Sequence, residues 1–437
     1  MKYDIAVIGA GPGGYTAALR AAQFGKKVVL IEKDLVGGSC LNYGCIPTKA
    51  LHASTKLFAK IKKADKLGIS VESPSIDLSK IVDRKDRVIG QLRKGLEYLF
   101  RENKIDLIRG EAKLISPQEI KVNDQVIEAA KLILATGSTI PDRTPFPIDE
   151  KKVFSTTGIL NLRTIPQTMA VIGAGAGGVE MACVFNALGS KVSLFEMLPM
   201  ILPAGDAETA KALEQYLVKK GIDIRTNTKL EDISGYDAVL VSVGRKLVTE
   251  GFEKIGIKME KGKVLVNEKM QTNISGVYAI GDIIGEYMLA HAASREGIVA
   301  AENACGKSAK MDYRFIPQCV YSEPAVASVG LTEEKARAEH KDIKIGKAAF
   351  TASSKSLIED ERDGFVKVIG DGSGRILGIH ILGSEATEMI GEAVLAINKG
   401  MKMEDIISTI HAHPTMYESM GEAAANALKQ AITILNR

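Results

Sequence analysis

The sequence predicts an α/β chain built on two copies of a βαβ unit, with a separate α+β domain at its C-terminal end. Two observations predict it. Residues 3–32, YDIAVIGAGPGGYTAALRAAQFGKKVVLIE, and residues 168–196, TMAVIGAGAGGVEMACVFNALGSKVSLFE, run through the same order of apolar strand, Gly-rich turn, helical stretch and second strand ending in Glu. Gly14 precedes Glu32, and Gly178 precedes Glu196, by the same 18 residues. The pattern then changes from about Asp312, where short apolar runs typical of strands mix with helical segments.

The elements follow in order. Between the repeats, a Lys/Leu/Ile periodicity predicts amphipathic helices over a segment from about Pro47 to Leu99. Short strands are expected near Ile105–Ile108, Glu111–Ile115 and Glu119–Val122, then an apolar strand that ends at Ala135-Thr136-Gly137. Pro141, Pro145 and Pro147 mark a linker. After the second repeat, strands are expected at Ala238–Val243, ending in Gly244-Arg245, and at Val277–Ile280, followed by Gly281-Asp282. The last part predicts strands Val326–Val329, Phe365–Ile369 and Ile376–Leu382, and helices Ala386–Asn398 and Met403–Ile410. The proline cluster near 145 and the change of pattern near Asp312 set off the middle of the chain from its two ends.

Composition narrows the function classes. The 437 residues exceed one ordinary domain of about 100–200 residues. A hydrophobic content of 46% fills several cores, and 25% charged residues is ordinary for globular proteins. A net charge of +4 with no long basic block argues against nucleic acid or an anionic membrane surface as partner. Asp4 interrupts the first apolar run, so it does not read as a secretory signal, and no apolar stretch approaches the roughly 20 residues of a membrane span. A reducing, cytoplasmic setting is expected.

Both glycine turns fit GxGxxG: Gly9-Ala10-Gly11-Pro12-Gly13-Gly14 and Gly173-Ala174-Gly175-Ala176-Gly177-Gly178. In a Rossmann-like unit the first glycine permits the tight turn, the second lets a pyrophosphate reach the backbone, and the third allows close helix–strand packing. The helix N-terminus supplies free N–H groups to the phosphates. Glu32 and Glu196 can each accept from ribose hydroxyls. A 2′-phosphate beside Glu196 would meet a carboxylate, and Met197 and Leu198 follow without an Arg, so the second site reads as NAD rather than NADP. The alternative is a decayed copy kept for packing; against it, both retain all three glycines and the acid.

Five cysteines in so long a chain are no disulfide scaffold. Cys183, Cys305 and Cys319 are scattered, whereas Cys40 and Cys45 lie in GGSCLNYGCIPTK, residues 37–49. A disulfide between those two closes a very small loop, which contributes least as a staple. Zinc would need about four ligands, and no second pair lies nearby. A catalytic dithiol fits better than two unrelated buried thiols. A helix beginning near Cys40 would favour a thiolate, and Lys49, four residues after Cys45, adds positive charge on the same face. Near the C-terminus stands His411-Ala412-His413-Pro414-Thr415-Met416-Tyr417-Glu418. A dithiol substrate must lose a proton to become the nucleophile, and a histidine oriented by a carboxylate suits that task. Taken alone, such a cluster is as often surface or core.

With these residues in view, the chain resembles the class I pyridine nucleotide–disulfide oxidoreductases. CLNxGCIP followed by Lys resembles their dihydrolipoamide dehydrogenase branch most, since the glutathione and mercuric branches usually carry Val near the Leu41 and Ile46 positions. The resemblance runs in order over nearly the whole chain: first fingerprint, Cys pair, ATG at 135–137, second fingerprint, Gly244-Arg245, Gly281-Asp282 and the His-Pro-Thr motif. It implies an FAD domain at 1–145 and 269–311, an NAD domain at 146–268 and a dimerisation domain at 312–437.

It further implies that FAD meets Gly9, Gly11, Pro12, Gly13, Gly14, Glu32, Lys33, Gly38, Ser39, Lys49, Ala112, Ala135, Thr136 and Gly137. Asp282 would hold its ribityl chain, and the amides of Met288, Leu289, Ala290 and His291 would lie along the flavin. NAD would meet Gly173, Gly175, Ala176, Gly177, Gly178, Glu180, Glu196, Leu230 and Gly244. Lys49 would pair with Glu180. Cys45 would face the flavin, Cys40 the substrate, and His413 with Glu418 would act as base across a homodimer, with His411 structural. The implied reaction oxidises protein-bound dihydrolipoyl groups to lipoyl with NAD+, serving a 2-oxo acid dehydrogenase or glycine cleavage complex, without a metal. Alternatives are an NADH-dependent reductase of another disulfide and a slow-turnover redox-sensing flavoprotein. Two departures from the pattern are notable. TKLEDISGYDA, residues 228–238, replaces a longer β-meander, and Tyr43 fills a variable position between the cysteines.

Overall fold

The computed structural model describes residues 2–436. The chain forms two compact units. Residues up to Ala50, Lys80–Thr144 and Gly244–Asp312 make the first; Leu51–Ser79, Pro145–Val243 and residues from Tyr313 onward make the second.

In the first unit, strands Asp106–Arg109, Val28–Glu32, Lys2–Ile8, Gln125–Leu134 and Val277–Ala279 lie side by side in that order, all parallel. Val28–Ile31 and Ile5–Ile8 are buried throughout, as expected of parallel strands covered on both faces. Gln125–Leu134 does two jobs. Its residues 125–128 pair antiparallel with Glu119–Val122, which pairs in turn with Ala112–Leu114, while Leu132–Leu134 pair with Val277–Ala279.

The second unit repeats the plan. Asp223–Arg225, Lys191–Phe195, Thr168–Ile172, Ala238–Val241 and Val153–Phe154 form a parallel sheet in that order. The sequence repeat is therefore a repeat of topology. The same unit holds an antiparallel sheet of Gln318–Val320, Ala325–Gly330, Ile376–Gly383, Phe365–Asp371 and Ile343–Ala349. Its apolar core joins Val366, Val368, Ile379 and Ile381 to Met389 and Ala393 of helix Ala386–Asn398 and to Met420 and Ala424 of helix Glu418–Ala427.

One side chain in that sheet is not apolar. Lys367 is 1% exposed and its ammonium meets Asp206 at 3.1 Å, Glu208 at 3.1 Å and Glu333 at 2.7 Å. Asp206 also caps helix Ala207–Lys219 by accepting from Thr209 N. Beside them His380, equally buried, contacts Ser328 Oγ at 3.0 Å and Leu331 O at 2.9 Å.

The helical segment from Pro47 to Leu99 is two helices, Cys45–Ile61 and Leu78–Glu102, with a 3-10 turn at Ala64–Leu67 between them, in line with the periodicity. Gly68 ends that turn in the left-handed region, and Pro74 cannot continue a helix. Residues 244–268 cluster with the first unit, because Lys246–Leu247 pair with Ser138–Thr139 and Val248 O accepts from Thr136 Oγ1 at 2.6 Å. The shortened stretch 228–237 forms no strand. Leu230, Ile233 and Tyr236 instead pack on Ala170, Ile172, Val239 and Val241, covering one face of the parallel sheet.

Candidate active site

The two glycine turns are built alike. Gly9 and Gly173 both sit at φ +99°, where an L side chain is strained. A Cβ on Gly14 would lie 1.8 Å from Gly9 O, and one on Gly178 1.9 Å from Gly173 O, so these glycines seat the helix on the turn. Around Gly11 and Gly175, in contrast, the space is open. Each is the N-cap of the helix that follows, Pro12–Gln23 or Ala176–Leu188, with no side-chain cap. Uncapped N–H groups beside open space suit a diphosphate. The acids match as well. Glu32 accepts from Ala10 N at 2.7 Å and Asp34 N at 2.8 Å; Glu196 accepts from Ala174 N at 2.8 Å and Leu198 N at 2.9 Å. Met197 and Leu198 are exposed beyond Glu196, and neither is a cation. Ala176 and Gly177 fall in the first turn of the second helix. A Gly178→Ala variant is expected to weaken NAD+ binding at least tenfold while FAD stays bound, because the helix must lift off Gly173; titration of nucleotide into the flavin-loaded protein checks it.

Around the first turn, Ala135 O lies against Gly9, and Gly38 packs on Gly11. Ser138 Oγ donates to the Asp282 carboxylate. Arg245 donates from Nε to Ser138 Oγ at 2.5 Å, and from Nη2 to Ser138 O at 2.7 Å and Ser39 Oγ at 3.2 Å. Glu296, fully buried, accepts from Gly281 N at 2.7 Å. Arg245, Ser138 and Glu296 thus fix Asp282 and Ser39, two of the residues named for FAD. Sequence reasoning named the Gly-Arg motif but no role for its Arg; Ser138 follows ATG directly and was overlooked. Of the remaining FAD candidates, Lys33 is exposed, Ala112 opens strand Ala112–Leu114, Met288 is 51% exposed, and Leu289 caps helix Ala290–Ala304, whose first turn holds Ala290 and His291.

The side chains of Cys40 and Cys45 share a hydrogen bond. That bond, then burial and the neighbouring charge of Cys45, push the Cys40 thiol far above its ordinary range, with Lys49 opposing. Tyr15 lies close enough to feel both: burial first, then Cys40 and Cys45, raise its phenol. Cys40 does not begin a long helix. It sits inside the six-residue helix Gly38–Tyr43, which Gly44 ends, and Cys45 is the first residue of the 17-residue helix Cys45–Ile61. The dipole argument therefore belongs to Cys45, which is exposed on the first turn. Tyr43 does not stand free between the cysteines: its hydroxyl donates to Asp34 at 2.7 Å.

In the second unit, His413 Nδ1 lies 2.9 Å from Glu418 Oε1, and Glu418 Oε2 accepts from Thr415 N at 2.8 Å. Burial works to raise the Glu418 carboxyl, but Thr415 N–H and the charge available to His413 hold it below its usual range. The ring is 69% exposed, its other nitrogen free of this carboxylate. His411 is differently engaged, with Glu392 at 2.9 Å. Glu180 is buried and accepts from Tyr321 N at 3.0 Å. Leu230 packs against the sheet face described above, and Gly244 clusters with the first unit. Among the described residues no His/Cys/Asp/Glu group is arranged to hold a metal, and no helix is long and apolar enough to cross a membrane.

Comparison with known proteins agrees with this geometry. Residues 3–297 match the family described as pyridine nucleotide-disulphide oxidoreductase, and residues 316–424 match the dimerisation domain of the same family. The dihydrolipoyl dehydrogenase of Thermus scotoductus is 44% identical, with 100% of this chain and 99% of that protein covered. The mitochondrial dihydrolipoyl dehydrogenase of Pisum sativum is 40% identical over 99% of this chain and 92% of its own length. Among solved structures, the HOCl-induced flavoprotein disulfide reductase RclA from Escherichia coli superposes with a TM-score of 0.87 at 27% identity, covering 97% of this chain and 99% of that one.

Proposed function

From the premise that the chain belongs to the pyridine nucleotide-disulphide oxidoreductase family, we propose that it oxidises protein-bound dihydrolipoyl groups to lipoyl groups with NAD+ through Cys40 and Cys45. It is an FAD- and NAD-dependent oxidoreductase enzyme. The observation that carries the substrate reading is the hydrogen-bonded Cys40–Cys45 pair heading a helix with Lys49 one turn on. Full-length relatives named for the dihydrolipoyl reaction support it.

The residues divide the work. His413, oriented by Glu418, takes the proton from one substrate thiol. The thiolate attacks Cys40 of the oxidised pair, and Cys45 leaves as a thiolate at the helix N-terminus, with the Lys49 charge near. The second substrate thiolate then displaces Cys40, closing the lipoyl disulfide and leaving the protein pair reduced by two electrons. FAD, when bound, carries that electron pair from the reduced cysteines to NAD+. The chain supplies its seat: the open turn at Gly11, the Glu32 carboxylate, and Asp282 held by Ser138 and Arg245. Glu196 selects a free 2′-hydroxyl on the nicotinamide nucleotide.

We infer a homodimer through residues 312–437, in which His413 serves the cysteines of the second copy, and a cytoplasmic enzyme docking on a lipoyl-bearing protein of a 2-oxo acid dehydrogenase or glycine cleavage complex. Anaerobic addition of dihydrolipoamide to the yellow protein, then NAD+ or NADP+, tests the reading. Bleaching followed by NAD+-dependent turnover is expected. Bleaching by NADH but not by dihydrolipoamide would overturn the substrate and favour another disulfide. A His413→Gln variant should lose about 10²- to 10⁴-fold in kcat with dihydrolipoamide, the range of general-base loss, while NADH still bleaches the flavin at the wild-type rate.

A further inference from the structure

Helix Cys45–Ile61 carries more chemistry than the proposed reaction uses. Cys45, Lys49, His52 and Lys56 fall at i, i+4, i+7 and i+11, a single stripe along the helix. The first two belong to the redox site. The second two meet Glu323: His52 Nε2 lies 3.2 Å and Lys56 Nζ 3.6 Å from its Oε1. His52 Nε2 is buried and makes no hydrogen bond, so this close contact with Glu323 is its one polar approach there. His52 is 9% exposed and also meets the edge of Tyr321, ring centres 6.5 Å apart at 78°.

Glu323 belongs to the turn 321–324 between strands Gln318–Val320 and Ala325–Gly330. That turn is closed by Ser322 Oγ donating to Pro324 O at 2.7 Å, with Ser322 wholly buried. Lys220 Nζ donates to Glu323 O at 2.7 Å, and Tyr321 N donates to Glu180 at 3.0 Å. One rigid turn therefore grips the redox helix through His52 and Lys56, and Glu180 through its backbone. Burial alone would raise the Glu323 carboxyl, yet His52, Lys56 and Lys220 keep it ionised below its ordinary range.

We propose that His52 is a positioning residue of the redox reaction, fixing through Glu323 the rotation and axial setting of the helix that bears Cys45 and Lys49. The inference rests on the dithiol reading given above. An α-helix is stiff, and His52 stands about two turns, roughly 10 Å, from Cys45. A slip at the Glu323 contact is thus delivered to Cys45 and Lys49 together. Removing His52 leaves the half-buried carboxylate with Lys56 at the longer distance, and the helix free to turn toward it.

The test uses the reduced, flavin-loaded enzyme with His52→Ala, His52→Gln and Glu323→Gln. Iodoacetamide labelling of Cys40 and Cys45, followed by mass spectrometry across a pH series, reads thiolate character without any disulfide substrate. His52→Ala is expected to move the midpoint of labelling upward and to lower kcat with dihydrolipoamide about 10- to 100-fold, with KM for NAD+ unchanged, as sub-ångström to ångström misplacement of reacting groups does. His52→Gln, whose amide N–H keeps a polar group facing Glu323, should restore most of both. A labelling profile identical to wild type in His52→Gln and His52→Ala, with only the melting temperature lowered, would overturn the proposal and leave a brace. Should the unmodified enzyme ignore dihydrolipoamide, the substrate reading fails, but the labelling profiles still decide this one. If His52→Ala does not fold, the Gln variants decide it: wild-type profiles in both overturn it.

Discussion

A Cys45→Ser enzyme is expected to lose dihydrolipoamide oxidation by at least about 10³-fold, the scale seen when a nucleophile is deleted from a concerted set. The reason is stoichiometric. Storing two electrons needs two sulfurs, and Cys40 without its partner stays a thiol, leaving no disulfide for the substrate thiolate to attack. The fold should survive, because Cys45 is exposed at the first residue of its helix and the turn at Gly9–Gly14 does not depend on it. The flavin should therefore stay bound. Cys40→Ser should be equally inactive but should keep Cys45 reactive toward alkylation, and without the Cys40 contact its thiol is the one left at the helix N-terminus. Steady-state turnover with dihydrolipoamide and NAD+ measures the loss. A Cys45→Ser protein turning over at the wild-type rate would end the scheme.

Lys367→Met should destabilise the second unit by about 3–5 kcal/mol, the cost typical of breaking a buried ion pair from one side. Asp206, at 2% exposure, would be left without its cation, while Glu208 and Glu333 can turn toward water. The pH dependence has a defined sign. Burial pushes the Asp206, Glu208 and Glu333 carboxyls up, but His380 and Lys367 at Asp206, and Lys367 with Lys347 or Arg337 at the others, hold all three below their ordinary range. Their contribution is complete above the unfolded carboxylate range and is lost as pH falls through the depressed values. Lys367 is opposite in sign. Burial works against its charge, the three carboxylates outweigh burial, and its raised value means the contribution persists until strongly alkaline pH. In the variant the acid-side loss of stability should be much shallower. Denaturant melts of both proteins between neutral and acid pH measure it; equal slopes would remove Lys367 from the account.

How much of this was legible beforehand differs by residue. Gly9 to Gly14 and Gly173 to Gly178 were legible because a tight turn, an open phosphate seat and a close helix leave no alternative to glycine at their spacing. Glu32 and Glu196 were legible from their position at strand ends. The Cys40–Cys45 spacing argued against a staple and the lack of a second ligand pair nearby against zinc, yet which cysteine heads the long helix was not visible, since a single residue, Gly44 at φ −139° and ψ −102°, splits one expected helix start into two. The role of Arg245, and Ser138 altogether, were not legible for another reason. They are 107 residues apart, and only the pairing of Lys246–Leu247 with Ser138–Thr139 brings them to Asp282.

Local sequence determined what depends on neighbours a few residues away: the two βαβ units, their glycine turns, the acid that closes each, and the dithiol. Tertiary structure alone decided what depends on partners far along the chain. It put Glu323 against His52, buried Lys367 among Asp206, Glu208 and Glu333, and laid Leu230, Ile233 and Tyr236 over one face of the parallel sheet. Turn geometry and helix periodicity are written in adjacent side chains. The partner of a buried charge is set by packing, which no window of sequence contains.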